Sequence, residues 1–271
     1  MTLLQAIVLG FIQGLTEFLP VSSSGHLVLA SNLLHVAKTN DITFEVFVHF
    51  GTLLSVTLVF WKDIVGITDS TVKAFTGMKF SKEYYDASEH FRLGLLILLG
   101  SIPAAVIGIG FKEQIEAAFT DPKLVAVMLV VTGLILFLTR FAKPVEGKSV
   151  SPLSSVLIGV AQAFAILPGF SRSGSTISAA LFLKVSPVKA ARFSFLLSLP
   201  AVAGATIMKS REMIAIGLSS DVLIEICAGT IVAFITGYVA IKFLLKIVEK
   251  GKFSLFAYYC LIVGIIGIVF L

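Results

Sequence analysis

Long apolar runs alternate with short polar segments along the chain. The runs predicted to be helical are 3–19, 25–34, 43–61, 92–111 and 124–141 in the first half, and 154–167, 174–184, 190–208, 222–248 and 253–271 in the second. At 1.5 Å per residue, roughly 20 residues cross a hydrocarbon core of about 30 Å. The pattern therefore predicts an all-α polytopic membrane protein.

In each half, the second run is too short to cross the membrane and follows a polar break. The breaks are "GLTEFLPVSSSGHL" at residues 14–27 and "PGFSRSGST" at residues 168–176. We expect each half to form a re-entrant helix hairpin, interrupted at its motif, followed by three transmembrane helices. Unpaired backbone at such a break is tolerated where it lines a protein cavity.

The two breaks belong to an internal repeat. The matched pairs are Gly10 with Gly159, Gln13 with Gln162, Ser22 with Ser171, Ser24 with Ser173, Gly25 with Gly174, Gly100 with Gly229 and Gly108 with Gly237. We predict one integral membrane domain, 1–271, made of repeat 1 at about 1–143 and repeat 2 at about 150–271. Three crossings per half predict inverted topologies, an arrangement that brings paired broken helices together near the membrane midplane.

Composition and charge agree with this interpretation. The chain is 57% hydrophobic and 14% charged, with a mean hydropathy of +1.00. If segments 62–92, 140–150, 184–192 and 242–252 face the cytoplasm, they hold fifteen Lys and Arg residues against five in the opposite loops. The positive-inside rule then places both termini outside. No basic cluster with interleaved aromatic residues occurs, so we expect no nucleic-acid partner.

Charged groups at membrane depth suggest where chemistry takes place, because an ion there is costly. Arg172 offers a planar fork of donors that suits phosphate. Helix N-termini after each motif add backbone amides, and the neighbouring hydroxyls that complete two phosphate cradles are Ser22, Ser23, Ser24, Ser171, Ser173 and Thr176. Two facing cradles predict a diphosphate ligand. The alternative is a structural salt bridge between Glu17 and Arg172.

Glu17 and His26 supply groups that a simple binding site would not need. A carboxylate can orient water or hold a divalent cation, and a histidine can act as nucleophile or as general acid or base. A phosphohistidine intermediate, a serine nucleophile and direct attack by water all remain open. His49 lies in a predicted span, where lining the cavity is as consistent with the pattern as packing with a backbone hydrogen bond.

The pair "QGLTEFLPVSSSGH" and "PGFSRSGST" closely resembles the signature motifs of the undecaprenyl-diphosphate phosphatase family, the bacitracin-resistance type. The resemblance implies hydrolysis of undecaprenyl diphosphate to the monophosphate at the outer face of the plasma membrane, which recycles the carrier lipid for cell-wall synthesis. It implies catalytic roles for Glu17, His26 and Arg172, and a divalent cation, Mg²⁺ or Ca²⁺. One departure is Gln13, where the family also accepts Glu; metal binding would rest on Glu17 with Gln13 beside it.

The main alternative is a lipid flippase or secondary transporter, since inverted repeats with broken helices are typical of transporters. A likeness to the lipid phosphatases that use a Ser-Gly-His triplet is interpreted as convergent, because the upstream Lys/Arg-Pro element of that superfamily is missing. The expected partners are a polyprenyl diphosphate substrate and membrane lipid, with a homodimer as a possible assembly.

Overall fold

A computed structural model describes residues 1–36, 38–77, 81–119, 121–216 and 220–270. Within these ranges every regular element is helical, and the α-helices number thirteen. Those of the first half are α1 Leu3–Phe18, α2 Ser23–Leu33, α3 Lys38–Val59, α4 Trp61–Thr76, α5 Lys82–Ala87, α6 Glu89–Gly110, α7 Lys112–Ala118 and α8 Pro122–Leu138. Those of the second half are α9 Pro152–Phe164, α10 Arg172–Phe182, α11 Pro187–Ile216, α12 Ser220–Glu249 and α13 Phe256–Phe270.

Four of the six predicted spans are long and apolar enough to cross a membrane. They are the segments Glu89–Gly110, Pro122–Phe141, Val222–Glu249 and Phe253–Phe270. A fifth candidate combines Phe44–Val59 with Trp61–Thr76, two helices that meet at an angle of 77°. These helices support a multi-pass membrane protein. The predicted span 190–208 lies within α11. Over the described residues, α11 is not one of the helices that are long and apolar enough to cross a membrane.

The sequence pattern missed the helices in the polar connections. Residues 62–92 were expected to form a loop, but α4 and α5 occupy much of this segment, and α7 follows α6 directly. At the start of α4, Phe60 has a φ of −105° and a ψ of 25°, which turns the chain away from the direction of α3. Because α4 carries charged residues among its apolar ones, its sequence lacks the continuous apolar run on which the span prediction depended.

Glycines allow two pairs of helices to pack at very short distance. A Cβ atom added at Gly10 of α1 would lie 2.4 Å from the carbonyl oxygen of Gly229 in α12. A Cβ added at Gly159 of α9 would lie 2.2 Å from the carbonyl oxygen of Gly100 in α6. Gly10 matches Gly159 and Gly100 matches Gly229, so the same contact occurs twice, each time between a helix of one half and a helix of the other.

Aromatic packing fixes the helix that leads into the first motif. The Phe18 ring meets Phe195 of α11 edge-on, with ring centroids 5.7 Å apart. Phe195 is fully buried and also contacts Phe60, 5.8 Å away between centroids. Edge-to-face aromatic contacts of this kind stabilise a fixed side-chain arrangement. The last turn of α1, which carries Glu17, is therefore anchored against α11.

Candidate active site

The two motifs form turns that join α1 to α2 and α9 to α10. Ser22 caps α2 by accepting a hydrogen bond from Gly25 N at 3.4 Å, and Ser171 caps α10 by accepting one from Gly174 N at 3.1 Å. Serine is a preferred N-cap because its hydroxyl satisfies an amide that the helix leaves free. Both 11-residue helices thus begin inside their motif with N-termini at matched positions.

Each turn is supported by a helix of the opposite half. Thr132 of α8 donates to the carbonyl of Gly169 at 3.2 Å and accepts from Ser171 N at 3.1 Å. Cys260 of α13 donates through its thiol to the carbonyl of Pro20 at 3.3 Å. Gly169 has a φ of 85°, and a Cβ there would lie 2.2 Å from the Val125 carbonyl oxygen, so this position requires glycine.

Glu17 lies where the turns meet, and it is buried. Nη2 of Arg172 donates to Oε1 of Glu17. The other oxygen, Oε2, accepts from Ser23 Oγ at 2.5 Å and from Gln13 Nε2 at 3.1 Å. A buried carboxylate needs this degree of pairing, because an ion without partners would carry the full cost of desolvation. The ion pair between Glu17 and Arg172, expected from the sequence only as the structural alternative, is present.

His49 of α3 also faces this carboxylate, with its Nε2 3.7 Å from Glu17 Oε2. Its Nδ1 lies 2.7 Å from the backbone carbonyl oxygen of Glu45. A carbonyl only accepts hydrogen bonds, so Nδ1 carries a proton and Nε2 is the ring atom that can take up or release one at the cavity. The structure shows elements of both interpretations of His49, because the side chain lines the cavity and also bonds to a backbone carbonyl.

A cavity of about 200 Å³ lies between the turns. It is lined by Glu17, Ser22, Ser23, Ser24, His49, Phe119, Ala165, Ile166, Phe170, Ser171, Arg172 and Val202. Six of the nine residues predicted to be catalytic or substrate-binding are in this set. The cavity thus combines an ion pair, four hydroxyls, one histidine and two helix N-termini.

Three residues predicted to be catalytic or substrate-binding do not line the cavity, namely His26, Ser173 and Thr176, and neither does Gln13. Ser173 Oγ donates to the Leu19 carbonyl at 3.2 Å. Thr176 is fully buried and bonds to the Arg172 carbonyl at 2.8 Å and to Ser194 Oγ at 2.6 Å. Both hydroxyls therefore hold the two turns and α11 together, a position that suits structural support better than direct contact with a ligand.

His26 points away from the cavity, toward α13. Its ring stacks on that of Tyr259, with centroids 5.6 Å apart. Nδ1 lies 2.8 Å from the Ser22 carbonyl oxygen, and Nε2 lies 2.8 Å from the Tyr259 hydroxyl. Because the carbonyl requires a donor, Nδ1 donates and Nε2 accepts from the tyrosine, so both ring nitrogens are occupied. The structure does not bring His26 together with Glu17 and Arg172.

Two buried polar atoms beside the cavity lack a hydrogen-bond partner among the described residues. They are Nη1 of Arg172 and Oε1 of Gln13. Buried groups of this kind are costly unless something binds them. The first is a cationic donor that suits a phosphate oxygen, and the second is an acceptor that suits water or a cation.

A divalent cation fits the oxygens of Glu17 and Gln13 if substrate phosphate and water supply its remaining ligands. Across the described residues, no group of three or more His, Cys, Asp or Glu side chains could hold a metal. Mg²⁺ commonly binds through one or two protein carboxylates together with substrate phosphates and water. Glu17 and the unpartnered Oε1 of Gln13 suit that mode, and they do not suit a cage built from protein ligands alone.

Comparisons with known proteins agree with the motif pair. The family model described as bacitracin resistance protein BacA matches residues 6–266. A Desulforapulum autotrophicum protein named undecaprenyl-diphosphatase is 46% identical over 275 residues, covering 99% of this chain and 98% of the relative. Proteins with the same name from Salinibacter ruber and Methanosphaera stadtmanae are 42% and 38% identical, covering 99% and 98% of this chain and 99% and 97% of their own lengths.

Proposed function

Since the chain belongs to the bacitracin resistance protein BacA family, we propose that it is an undecaprenyl-diphosphatase. The reaction hydrolyses undecaprenyl diphosphate to undecaprenyl phosphate and inorganic phosphate. It returns the carrier lipid to cell-wall synthesis and, by removing the diphosphate form, gives resistance to bacitracin. Relatives at 42% and 44% identity that carry the same name support the activity.

The observation that carries this proposal is the Glu17–Arg172 pair, buried where two helix N-termini meet. Amides at a helix N-terminus bind anions, and the partial positive charges of α2 and α10 favour phosphate in the cavity. Arg172 uses Nη2 for Glu17, which leaves Nη1 for a phosphate oxygen. A structural salt bridge alone would not explain the cavity, the hydroxyls and the unpartnered guanidinium nitrogen.

In the mechanism that we propose, the diphosphate binds between the turns with its phosphorus close to Glu17 and His49. Charge that develops on the phosphoryl oxygens is stabilised by Arg172, by the serine hydroxyls and by the helix amides. Glu17 orients the water that attacks the terminal phosphorus, and Nε2 of His49 takes the proton that this water loses. The bond from that phosphorus to the bridging oxygen breaks, so undecaprenyl phosphate leaves and inorganic phosphate remains. His26 orders the start of α2 through its bond to the Ser22 carbonyl, and it acts from outside the cavity.

A bound Mg²⁺ or Ca²⁺ would neutralise phosphate charge as a Lewis acid, held by Glu17 and Gln13. Gln13 donates through Nε2 to Glu17, and its own Oε1 therefore remains available as an acceptor. The amide therefore both orients the carboxylate and offers a second oxygen. This arrangement explains how a glutamine can serve at a position where the family pattern also accepts glutamate.

The proposed location is the plasma membrane, with the cavity open to the outer side and the halves in inverted topology. The excess of Lys and Arg in one set of loops supports the orientation. The exchanged contacts of Gly10 with Gly229 and of Gly159 with Gly100 support a two-fold relation between the halves. In this arrangement both motif hairpins are re-entrant, and the turns meet near the midplane.

A lipid flippase remains the second candidate, and the same exchanged glycine contacts favour it, because transporters are commonly built from inverted repeats. A transporter needs binding and gating, whereas a phosphatase also needs groups that move protons beside the anion. Phosphate released from undecaprenyl diphosphate by pure protein in detergent supports hydrolysis. Binding of the intact lipid without release would support transport.

The test compares wild type with E17A and R172A, with and without a chelator. We expect release from wild type only, and a loss of that release with EDTA if a divalent cation takes part. E225Q is the control, because Glu225 is an acid of the membrane helix α12 that does not line the cavity. Equal activity in wild type, E17A and R172A would contradict the assignment of the site.

A further inference from the structure

Two apolar grooves of similar size lie beside the motif turns. The first, the α6–α9 groove, has a volume of about 600 Å³ and is lined by α6, α7 and α9, with Val106, Ile107, Phe111, Phe164 and Ile166 among its residues. The second, the α12–α13 groove, has a volume of about 550 Å³ and includes Leu15, Phe243 and Tyr259. Volumes of this size are typical of small-ligand sites, which range over roughly 300 to 1,000 Å³.

The two grooves share two pairs of residues that the repeat matches. Phe164 in the α6–α9 groove corresponds to Leu15 in the α12–α13 groove, with the offset that pairs Gly159 with Gly10. Gln114 and Phe243 correspond with the offset that pairs Gly100 with Gly229. The repeat thus relates the two grooves in part, and the differences between them show what each can bind.

The decisive difference is the connection to the cavity. Ile166 lines both the α6–α9 groove and the cavity between the turns, whereas no residue of the α12–α13 groove lines that cavity. Ile166 stands at the position that matches Glu17 in the other half. One motif therefore places a carboxylate at this position, and the other places an apolar side chain where the cavity meets the groove.

The lining differs in charge as well. Among the described residues, the α6–α9 groove has no charged lining side chain, and Gln114 is its polar member. The α12–α13 groove ends at Lys250 and Lys252. An uncharged groove that shares Ile166 with a polar cavity containing Arg172 matches a molecule with an anionic head and a hydrocarbon chain.

We propose that the α6–α9 groove binds the first isoprene units of the substrate's prenyl chain, with the diphosphate in the cavity. This inference rests on the proposed hydrolase function. Val106 and Phe164 are 63% and 60% exposed at the groove, so a chain seated there would cover large apolar surfaces. A groove of this volume holds the start of a long polyprenyl chain, and the remainder lies in the bilayer.

The test blocks the groove with V106W and uses I235W as the matched control. Ile235 of α12 is the repeat counterpart of Val106, is 55% exposed and lines neither groove. The readout is the preference for farnesyl diphosphate over isopentenyl diphosphate, given as the ratio of their kcat/KM values. We expect V106W to lower this ratio about tenfold, the effect of losing one or two apolar contacts in a pocket, while I235W leaves it at the wild-type value.

A second pair of variants removes side chains and adds no bulk. F164A should lower the same ratio, whereas L15A, which opens the α12–α13 groove, should not. Binding of farnesyl diphosphate, measured by calorimetry in detergent, tests the groove apart from catalysis. If wild type binds this lipid without releasing phosphate, the hydrolase function is contradicted, and the affinities of V106W and I235W for the lipid then test the groove. Ratios and affinities of V106W and F164A within twofold of wild type would overturn the inference, as would equal losses in the control variants.

Discussion

Ser23 and Arg172 donate to opposite oxygens of one carboxylate, that of Glu17. The two donors stand at matched positions of the two motifs, 149 residues apart by the offset that pairs Gly10 with Gly159. The halves of the chain thus meet at a single acidic group. The repeat supplies two donors of different charge, and the carboxylate comes from the first half alone.

Arg172 should not tolerate lysine. R172K keeps the positive charge but replaces the planar fork with a single ammonium, so it cannot bond Glu17 and a phosphate oxygen in the same geometry. We expect kcat to fall by about a hundredfold or more, the effect of removing a donor to the transition state. Phosphate release under saturating substrate measures this loss. R140K is the control, since Arg140 lies over the Phe137 ring outside the cavity, and activity of R172K near wild type would contradict the role of the fork.

The two histidines should differ in their effect on catalysis. H49Q removes the ring nitrogen that faces Glu17, so we expect kcat to fall by about a hundredfold. H26Q is the comparison, and it should lower thermal stability more than it lowers kcat. A phosphohistidine trapped on His26 in a quenched reaction would contradict this distribution of roles.

The hydroxyls should separate into ligand contacts and structural contacts. S171A removes a group that lines the cavity and caps α10, so KM should rise by severalfold. T176V removes the buried bond to Ser194, which should lower the free energy of unfolding by about 1 kcal/mol with a smaller change in KM. Denaturation in detergent and steady-state kinetics measure the two effects. A larger KM increase in T176V than in S171A would contradict the placement of Thr176.

The close helix contacts should be sensitive to one methyl group. G10A and G159A each place a Cβ within 2.4 Å of a backbone carbonyl oxygen, so the helices must separate and the thermal midpoint should fall. G204A is the control, because a Cβ there meets no atom within 4 Å in helix α11. Similar losses in G10A and G159A support the two-fold relation. A midpoint that is unchanged in either variant would contradict the corresponding contact.

The sequence is sufficient to predict the turns at the two motifs and four of the spans, and it offers the Glu17–Arg172 ion pair only as an alternative. Pro and Gly break helices and Ser caps new ones, so the sequence features that predict the turns are local. The orientation of His26 could not be predicted, because its partner Tyr259 lies 233 residues away and only tertiary packing brings the two rings together. For His49, the sequence predicts the position in a span, but the direction of the ring depends on how α3 packs.

The most direct measurement of the central claim is phosphate release in a single turnover by wild type, E17Q, R172Q and the double variant. If the two residues act as one unit on the phosphate, the double variant should be about as slow as the slower single variant. The wild type should release phosphate from undecaprenyl diphosphate, and each single variant should be slowed by a hundredfold or more. Release by E17Q within twofold of wild type, or losses in the two single variants that multiply fully in the double variant, would contradict the claim that both motifs build one catalytic site.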